Sequence, residues 1–196
     1  TERGVVVCNT PDAPTISTAE HTISLLMAAS KFTANNVQRL RDGRRDFYAA
    51  NEAIELSGKT IGVVGHGRIG SRVARIAAAM DMQVLVCDPY VDIAGHVSVD
   101  LARIYRDSHV ITFHCPLTDE TRGMVDSAAF DSMRDGVVIV NAARGGIIDA
   151  AALVTALLLA PQLDALWPSS PLLNVALLTS TSTTCVFLFS FLANNT

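Results

Sequence analysis

The chain has 196 residues, of which 49% are apolar and 17% charged, and its formal charge is −4. A chain of this length and composition can fill the core of one α/β domain, and it is neither disordered nor collagen-like. Without a surplus of Lys and Arg, a nucleic-acid partner is not expected. The cysteines are well separated and form no Cys-x-x-Cys pair, which favours free thiols in the cytoplasm over disulfides or a metal site. They are Cys8, Cys87, Cys115 and Cys185.

Charge is distributed unevenly along the chain. Every Lys and Arg lies at or before Arg144, and from Ala150 onward Asp164 is the one charged side chain. The segment 172–192 is apolar at both ends, but a Ser/Thr run at 179–184 interrupts it and no basic flank orients it. A membrane span is therefore not expected.

The first part of the chain predicts a strand followed by a helix. Residues 5–8 form the short apolar run of a buried strand. Ser17 and Glu20 have the spacing of a capping box, so we expect a helix to begin there. Its pattern runs on in more polar form towards Leu40, and Asp42–Gly43 ends it. Small or apolar residues recur at helical spacing in its first half: Ala19, Ile23, Leu26, Met27 and Ser30.

From Leu56 onward, short apolar runs alternate with helical patterns. Strands are predicted at 61–64, 84–87, 110–113 and 137–140. Helices are predicted at 69–80, 99–105, 128–133 and 151–159, with Pro161 ending the last one. Short strands that are apolar on both faces and alternate with helices are typical of a parallel sheet covered on two sides. The predicted fold class is therefore α/β, with a doubly wound parallel sheet.

The segment Gly65-His-Gly67-Arg-Ile-Gly70 lies between a predicted strand and a predicted helix. In that context Gly65 permits a tight turn, Gly67 lets a pyrophosphate approach the backbone, and Gly70 lets the helix pack close to the sheet. The helix N-terminus attracts anions, and Arg68 adds a full positive charge beside it. The alternative is a structural glycine-rich turn.

Asp88 follows Gly70 by eighteen positions, at the end of the next predicted strand. A carboxylate there can accept hydrogen bonds from both hydroxyls of an adenosine ribose and would repel a 2′-phosphate. The turn and the acid together predict a dinucleotide site that prefers NAD to NADP. The alternative is that Asp88 caps a loop.

Two later strand ends add candidate residues. His114-Cys-Pro116 follows one strand, where either a ligand-binding loop or a plain turn is possible, and His114 alone is more often structural than catalytic. Arg144 follows another buried strand, where an anion such as a carboxylate or 2-oxo acid would suit its planar guanidinium. Ala142 and Ala143 are small enough to let a flat ring lie against the backbone. Alternatively, Arg144 pairs with a local acid or caps carbonyl groups.

Together these segments resemble the D-isomer-specific 2-hydroxyacid dehydrogenases, in particular the phosphoglycerate dehydrogenase and hydroxypyruvate reductase branches. The resemblance extends from about Gly4 to Leu157 and implies NAD as cofactor. It also implies hydride transfer between NAD(H) and C2 of a 2-hydroxy or 2-oxo acid. The motifs that carry it are Leu56-Ser-Gly-Lys-Thr-Ile-Gly-Val-Val-Gly-His-Gly-Arg-Ile-Gly70, Asp88-Pro-Tyr90, His114-Cys-Pro-Leu-Thr-Asp-Glu-Thr-Arg-Gly123 and Asn141-Ala-Ala-Arg-Gly-Gly-Ile-Ile-Asp149.

The resemblance also implies a position for each candidate residue along the cofactor. The pyrophosphate and adenosine half would be contacted by Arg68, Ile69, Asp88, Cys115 and Pro116, with Thr121 closing the loop. The nicotinamide half would lie by Ala142, Ala143 and Arg144, with Asp164 at its amide. Arg144 would also hold the carboxylate and oxo group of the substrate, as a catalytic residue. The helix of residues 17–30 resembles one that links two lobes and packs across a homodimer.

The sequence departs from the family's pattern towards both ends. Thr1 falls just after the family's Gly-rich substrate loop, and no His follows His114. Ser170-Pro171 stands where the family has a Glu, and Ser180-Thr181 where it has the catalytic His. Because Thr cannot transfer a proton near neutral pH as imidazole does, the expected cost is about 10²–10⁴-fold in rate.

We therefore expect a chain that is incomplete at both ends, binds NADH, and turns over hydroxypyruvate or a similar 2-oxo acid slowly or not at all. Residues 1–14 would be a remnant of the substrate domain, 15–178 the dinucleotide-binding domain, and 179–196 an atypical apolar tail. The alternatives are an NAD-binding sensor or corepressor-like module without catalysis, and an inert scaffold domain.

Overall fold

A computed structural model describes residues 8–10, 12–44, 53–164 and 175–177 of the chain. Within these ranges six strands form one parallel sheet in the order β3-β2-β1-β4-β5-β6. This is the strand order of the Rossmann fold, and the direction of winding reverses between β1 and β4. The doubly wound parallel sheet predicted from the sequence is confirmed. The strands are β1 (Thr60–Val64), β2 (Gln83–Cys87), β3 (Val97–Ser98), β4 (Val110–Phe113), β5 (Val138–Asn141) and β6 (Val175–Leu177).

The helices of the described ranges cover both faces of the sheet. One layer contains α1 (Thr15–Ser30) and α3 (Arg68–Ala79), and α2 (Thr33–Arg41) follows α1. The opposite layer contains α4 (Leu101–Asp107), α5 (Ser127–Ser132) and α6 (Ala150–Asp164). A short 3-10 turn, Gly145–Ile147, follows β5.

Alternate residues of each strand face opposite helical layers, which explains why the strands are apolar throughout. Ile61 and Val63 of β1 pack with Leu26 of α1 and Ala77 of α3 in one cluster. On the other face, Val64 belongs to a second cluster, with residues of the adjoining strands and of α4, α5 and α6: Leu85, Ile104, Phe113, Ile139, Ala129 and Leu153. Burial of the sheet on two sides fixes the ends of β1, β2 and β4, where the candidate site lies.

The capping box predicted at Ser17 and Glu20 is wrong. The helix α1 begins at Thr15 after Pro14, and no side chain caps it. Ser17 is already inside the first turn, where its hydroxyl donates to the carbonyl of Pro14 at 3.2 Å. A left-handed Phe32, at φ 50°, then separates α1 from α2 within the single helical run that the pattern predicted.

The predicted end of the last helix at Pro161 is also wrong, because α6 continues to Asp164. A proline inside a helix removes one intrahelical hydrogen bond, and its ring clashes with the preceding turn. Here it falls in the last turn, with three residues after it. The predicted helix at 99–105 is shifted to Leu101–Asp107, because the Asp100 side chain accepts the amide of Arg103 at 2.8 Å and caps the helix there.

Two predicted segments lie wholly or mostly outside the described residues. Residues 5–7 of the first predicted strand lie outside the described ranges, and Cys8 is exposed. The tail at 179–196 lies outside them entirely. Among the residues that are described, no helix is both long enough and apolar enough to cross a lipid bilayer.

Candidate functional site

The turn from β1 into α3 has the geometry that its glycines predict. Gly65 has φ 93°, and a Cβ added to it would lie 2.7 Å from the amide nitrogen of Cys115. A Cβ on Gly70 would collide with the carbonyl oxygen of Gly65. Both positions therefore exclude side chains because the backbones of β1, α3 and the loop after β4 meet there.

Gly67 differs from the other two glycines, because a Cβ placed on it would meet no atom within 4 Å. It is the N-cap of α3, and no side chain caps that helix. The first amide groups of α3 therefore face open space beside a helix dipole, as a bound diphosphate requires. Ile69 is half-buried in the first turn of α3.

Arg68, predicted to contact the pyrophosphate, forms an ion pair with Asp12 in this structure. The Nη1–Oδ1 distance is 3.0 Å, and the two side chains are 58% and 81% exposed. An exposed pair of this kind is weak, so it can exchange for a phosphate partner.

Asp88 lies at the carboxyl end of β2 with both oxygens held by main-chain amides. Its Oδ2 accepts the amide of His66 at 2.7 Å, and its Oδ1 accepts that of Tyr90 at 2.9 Å. The first bond ties the carboxylate to the Gly65–Gly70 turn. Each oxygen keeps acceptor capacity for a further hydrogen bond, since a carboxylate offers about four lone-pair sites.

His66 packs its ring edge-on against His96, with centroids 5.8 Å apart. Burial, followed by the neighbouring His96, lowers the pKa of His66, and the charge of Asp88 opposes part of that change. The imidazole of His66 is therefore uncharged at neutral pH.

The loop after β4 closes the opposite side of the same turn. Thr121 Oγ1 donates to the carbonyl of Pro116 at 2.7 Å and accepts the amide of Thr118 at 2.8 Å. Burial raises the pKa of Cys115 to about 11 and also raises that of Cys87, so both groups are neutral thiols near pH 7. Cys87 and Cys115 therefore present an uncharged surface at the base of this loop. The hydrogen bonds of Thr121 to Pro116 and Thr118 hold the loop in its closed turn.

These elements enclose a cavity of about 780 Å³ at the carboxyl ends of β1, β2 and β4. This is the position of ligand sites in doubly wound sheets. Six of the residues predicted from the sequence line it: Gly65, Gly67, Asp88, Cys115, Pro116 and Thr121. Its volume is in the range of small-molecule and cofactor sites.

The residues predicted to adjoin the nicotinamide lie on a separate loop after β5. Asn141 is fully buried, donates from its side chain to the Arg144 carbonyl at 2.9 Å, and accepts the Ala143 amide at 3.1 Å. It thereby shapes the loop of Ala142, Ala143 and Arg144, and sequence reasoning missed this role. The signal available was a polar residue ending an apolar strand.

Arg144 is exposed, and its guanidinium donates to the carbonyl of Ala143 at 2.9 Å. Within the described ranges it pairs with no carboxylate. This contact is the carbonyl cap considered as an alternative from the sequence, and a single such bond leaves most of the donors of the guanidinium free. Asp164 is the last residue of α6.

His114 has the structural role that was favoured from the sequence. Its Nε2 lies 2.9 Å from Thr112 Oγ1, and desolvation lowers its pKa to about 4. Although His114 lines the cavity and keeps some solvent contact there, the atoms around the ring disfavour its charged form.

The low pKa of His114 predicts a loss of stability in acid. The unfolded chain takes up this proton near pH 6.5, whereas the native state resists it down to about pH 4. The contribution of His114 to the free energy of unfolding is therefore fully present above the unfolded pKa. It is lost as the pH falls through this window, by about 2 kcal/mol near pH 5 relative to pH 8. Urea unfolding at several pH values measures the effect. His114→Gln, which does not titrate, should show a flatter pH profile, and superimposable profiles would contradict the assignment.

Comparison with known proteins identifies the family. Residues 23–165 match the family model described as D-isomer specific 2-hydroxyacid dehydrogenase, NAD binding domain. The chain belongs to this family. The resemblance seen in the sequence motifs is confirmed, and the Gly65–Gly70 turn described above lies inside the matched region.

Relatives and solved structures agree with this assignment. The chain is 44% identical over 165 residues to D-3-phosphoglycerate dehydrogenase of Archaeoglobus fulgidus. The matched region covers 80% of this chain and 31% of the relative. It is 39% identical over 155 residues to hydroxypyruvate reductase of Thermotoga maritima, covering 78% and 50%. A structure of D-lactate dehydrogenase from Aquifex aeolicus with NAD and lactic acid superposes with a TM-score of 0.75 at 30% identity, covering 91% and 52%. The chain thus spans a third to a half of these dehydrogenases.

Proposed function

We propose that the protein is an NAD-dependent oxidoreductase that transfers hydride between NAD(H) and a small 2-hydroxy or 2-oxo acid. A phosphoglycerate-like or a glycerate/hydroxypyruvate-like acid is the proposed substrate. The observation that carries the proposal is the joint placement of Asp88 and the open, uncapped Gly67 turn on one cavity. When bound, NAD supplies the hydride acceptor or donor, and the chain binds and orients it.

The proposed contacts are those that the family resemblance implies, and the open turn at Gly67 and the position of Asp88 support the first of them. The amides at the start of α3 would hold the pyrophosphate, with Ile69 beside them and Arg68 released from Asp12. Asp88 would accept the ribose hydroxyls, and the loop of Cys115, Pro116 and Thr121 would cover the adenosine. Ala142 and Ala143 would lie by the nicotinamide, with Asp164 at its amide.

Arg144 is proposed to bind the carboxylate and oxo group of the substrate. Its exposure on the loop after β5, with no acid to neutralise it among the described residues, supports this role. A guanidinium can hold two oxygens at once, which would orient C2 of the acid for transfer.

The domain division proposed is a substrate-domain remnant at 1–14, a dinucleotide-binding domain at 15–178 and a distinct tail at 179–196. Pairing of β6 with β5 supports extending the second unit past residue 175. A homodimer is proposed from the exposed apolar side chains on α1 and α2, namely Ile16, Met27, Val37 and Leu40. A cytoplasmic location is proposed because the described cysteines, Cys8, Cys87 and Cys115, are free thiols.

The test is NADH binding and turnover by the chain. Calorimetric titration with NADH should give saturable binding with one site per chain. Oxidation of NADH by hydroxypyruvate should be slow, by about 10²–10⁴-fold relative to an enzyme with acid–base help, because Ser170 and Thr181 stand where the family pattern has Glu and His. Absence of NADH binding would contradict the proposal.

A second candidate, an NAD-binding sensor without catalysis, is favoured by one observation. In the sequence, Ser170 and Thr181 stand where the family pattern has the Glu and the His that would transfer the proton. Binding of NADH with no turnover, together with a change in oligomer size on gel filtration when NADH is added, would favour the sensor.

A further inference from the structure

The cavity that we assign to NAD is acidic at one end. Asp88, Asp119 and Glu120 line it, and none of its described lining residues is Lys or Arg. Asp88 lies at the end of β2, whereas the other two acids belong to the loop after β4. Negative charge therefore approaches the cavity from two sides of β1.

Of the two acids on the β4 loop, Glu120 is the one held in place. The hydroxyl of Tyr90 donates to Glu120 Oε2 at 2.5 Å, joining loops that are thirty residues apart in sequence. This hydrogen bond, and after it the charge of Glu120, raises the pKa of Tyr90, so the phenol keeps its proton and can donate it to Glu120. Asp119 has no such partner within the described part of the chain.

The bond joins two loops that are already fixed at their bases. The amide of Tyr90 donates to Asp88 Oδ1 at 2.9 Å, and the contacts of Thr121 with Pro116 and Thr118 hold the loop that carries Glu120. Tyr90 is 77% exposed, so its bond to Glu120 does not serve to pack a core. It fixes a carboxylate in the lining of the same cavity that Asp88 lines.

We propose that Glu120 is a second specificity-determining residue, which excludes adenosine cofactors that carry a phosphate on the ribose, and that Tyr90 positions it. The inference rests on the proposed NAD site. A ribose phosphate adds nearly two negative charges, and the fixed carboxylate repels them while leaving an uncharged ribose unaffected by charge. Because Tyr90 is also bonded to Asp88, the two acids act as one connected unit.

This arrangement has a consequence for changing cofactor preference. Removing the carboxylate of Asp88 alone leaves the charge of Glu120 in the cavity lining, so Asp88→Ala should not admit NADPH fully. Neutralising Glu120 as well should be required.

The experiment compares dissociation constants for NADPH and NADH by titration of the whole chain at low and high salt. Glu120→Gln should raise the affinity for NADPH relative to NADH about fivefold at low salt. Tyr90→Phe, which keeps the charge but releases it, should raise the ratio about twofold in the same direction. Adding Glu120→Gln to Asp88→Ala should raise the ratio beyond that of Asp88→Ala alone. Salt should change the ratio less in Glu120→Gln than in the wild type, because less repulsion remains to be screened.

Asp131→Asn is the matched control, since Asp131 is exposed on α5, outside the cavity lining, and the change removes the same charge. It should leave the ratio unchanged. The inference is overturned if NADH binds but Glu120→Gln and Tyr90→Phe leave the ratio at the wild-type value, or if Asp131→Asn moves it equally. Failure of the wild type to bind NADH would overturn the proposed function itself. If Glu120→Gln does not fold, as judged by circular dichroism, Tyr90→Phe decides alone.

Discussion

Replacing Gly70 by alanine should both destabilise the chain and abolish NADH binding. The added Cβ would collide with the main-chain carbonyl oxygen of Gly65, which cannot rotate away as a side chain can. Relief requires α3 to move from the sheet or the Gly65 turn to change shape. Overpacking of this kind costs about 1–3 kcal/mol, and here it falls on the turn that would hold the diphosphate. Urea unfolding and NADH titration of Gly70→Ala measure the two effects.

Gly67→Ala is the matched control, because the same atom is added three residues earlier in open space. Gly67 has φ −71°, which alanine adopts without strain, and a Cβ there meets nothing within 4 Å. Stability should change by less than about 1 kcal/mol, whereas NADH binding should weaken because a methyl group occupies the approach to the first amides of α3. If Gly67→Ala unfolds the chain as much as Gly70→Ala, the assignment of separate roles to these glycines is wrong.

Elements whose causes are local could be predicted from the sequence. The strands β1, β2, β4 and β5 were found within one residue, because burial on both faces makes each a short continuous apolar run. The short strands β3 and β6, of two and three residues, are not among the predicted ones, and each is defined by pairing with its neighbour, β2 or β5. Such pairing depends on strand order, which a local pattern does not contain.

The same distinction applies to the site. The roles of Gly65 and Gly70, and the position of Asp88 beside the turn, follow from a strand–turn–helix–strand order that is written in adjacent residues. In contrast, the Tyr90–Glu120 bond joins positions thirty residues apart, and Arg68 meets Asp12 across fifty-six residues. Exposed polar residues in loops follow no periodic pattern, so these pairs can be identified only from the three-dimensional structure.

The errors at the starts of α1 and α4 each have a local physical cause. At the start of α1, Pro14 already provides a helix entry, so the helix begins before the capping box can form at Ser17. At the start of α4, the carboxylate of Asp100 caps the first turn and moves the helix two residues along the chain. A capping side chain contributes only about 1 kcal/mol, so a small local preference is enough to move the start of a helix by one or two residues.

Replacing Asp88 by alanine should weaken NADH binding about 10- to 100-fold. Two hydrogen bonds from ribose hydroxyls to a carboxylate would be lost, and bonds to a charged group contribute about 1.5–3 kcal/mol each, reduced here by partial exposure. The amides of His66 and Tyr90 would also lose their acceptor, which loosens the turn that binds the diphosphate.

Asp88→Asn separates these two contributions, because the amide oxygen can still accept one main-chain hydrogen bond but carries no charge. Its affinity for NADH should lie between those of the wild type and Asp88→Ala. Asp92→Asn, an exposed acid on the same loop and outside the cavity lining, should bind as the wild type does. Calorimetric titration of the three variants, with circular dichroism to confirm folding, gives the comparison. Equal affinities for wild type and Asp88→Ala would remove the ribose contact from this carboxylate, and with it the reason to place the adenosine half of NAD between β2 and the loop after β4.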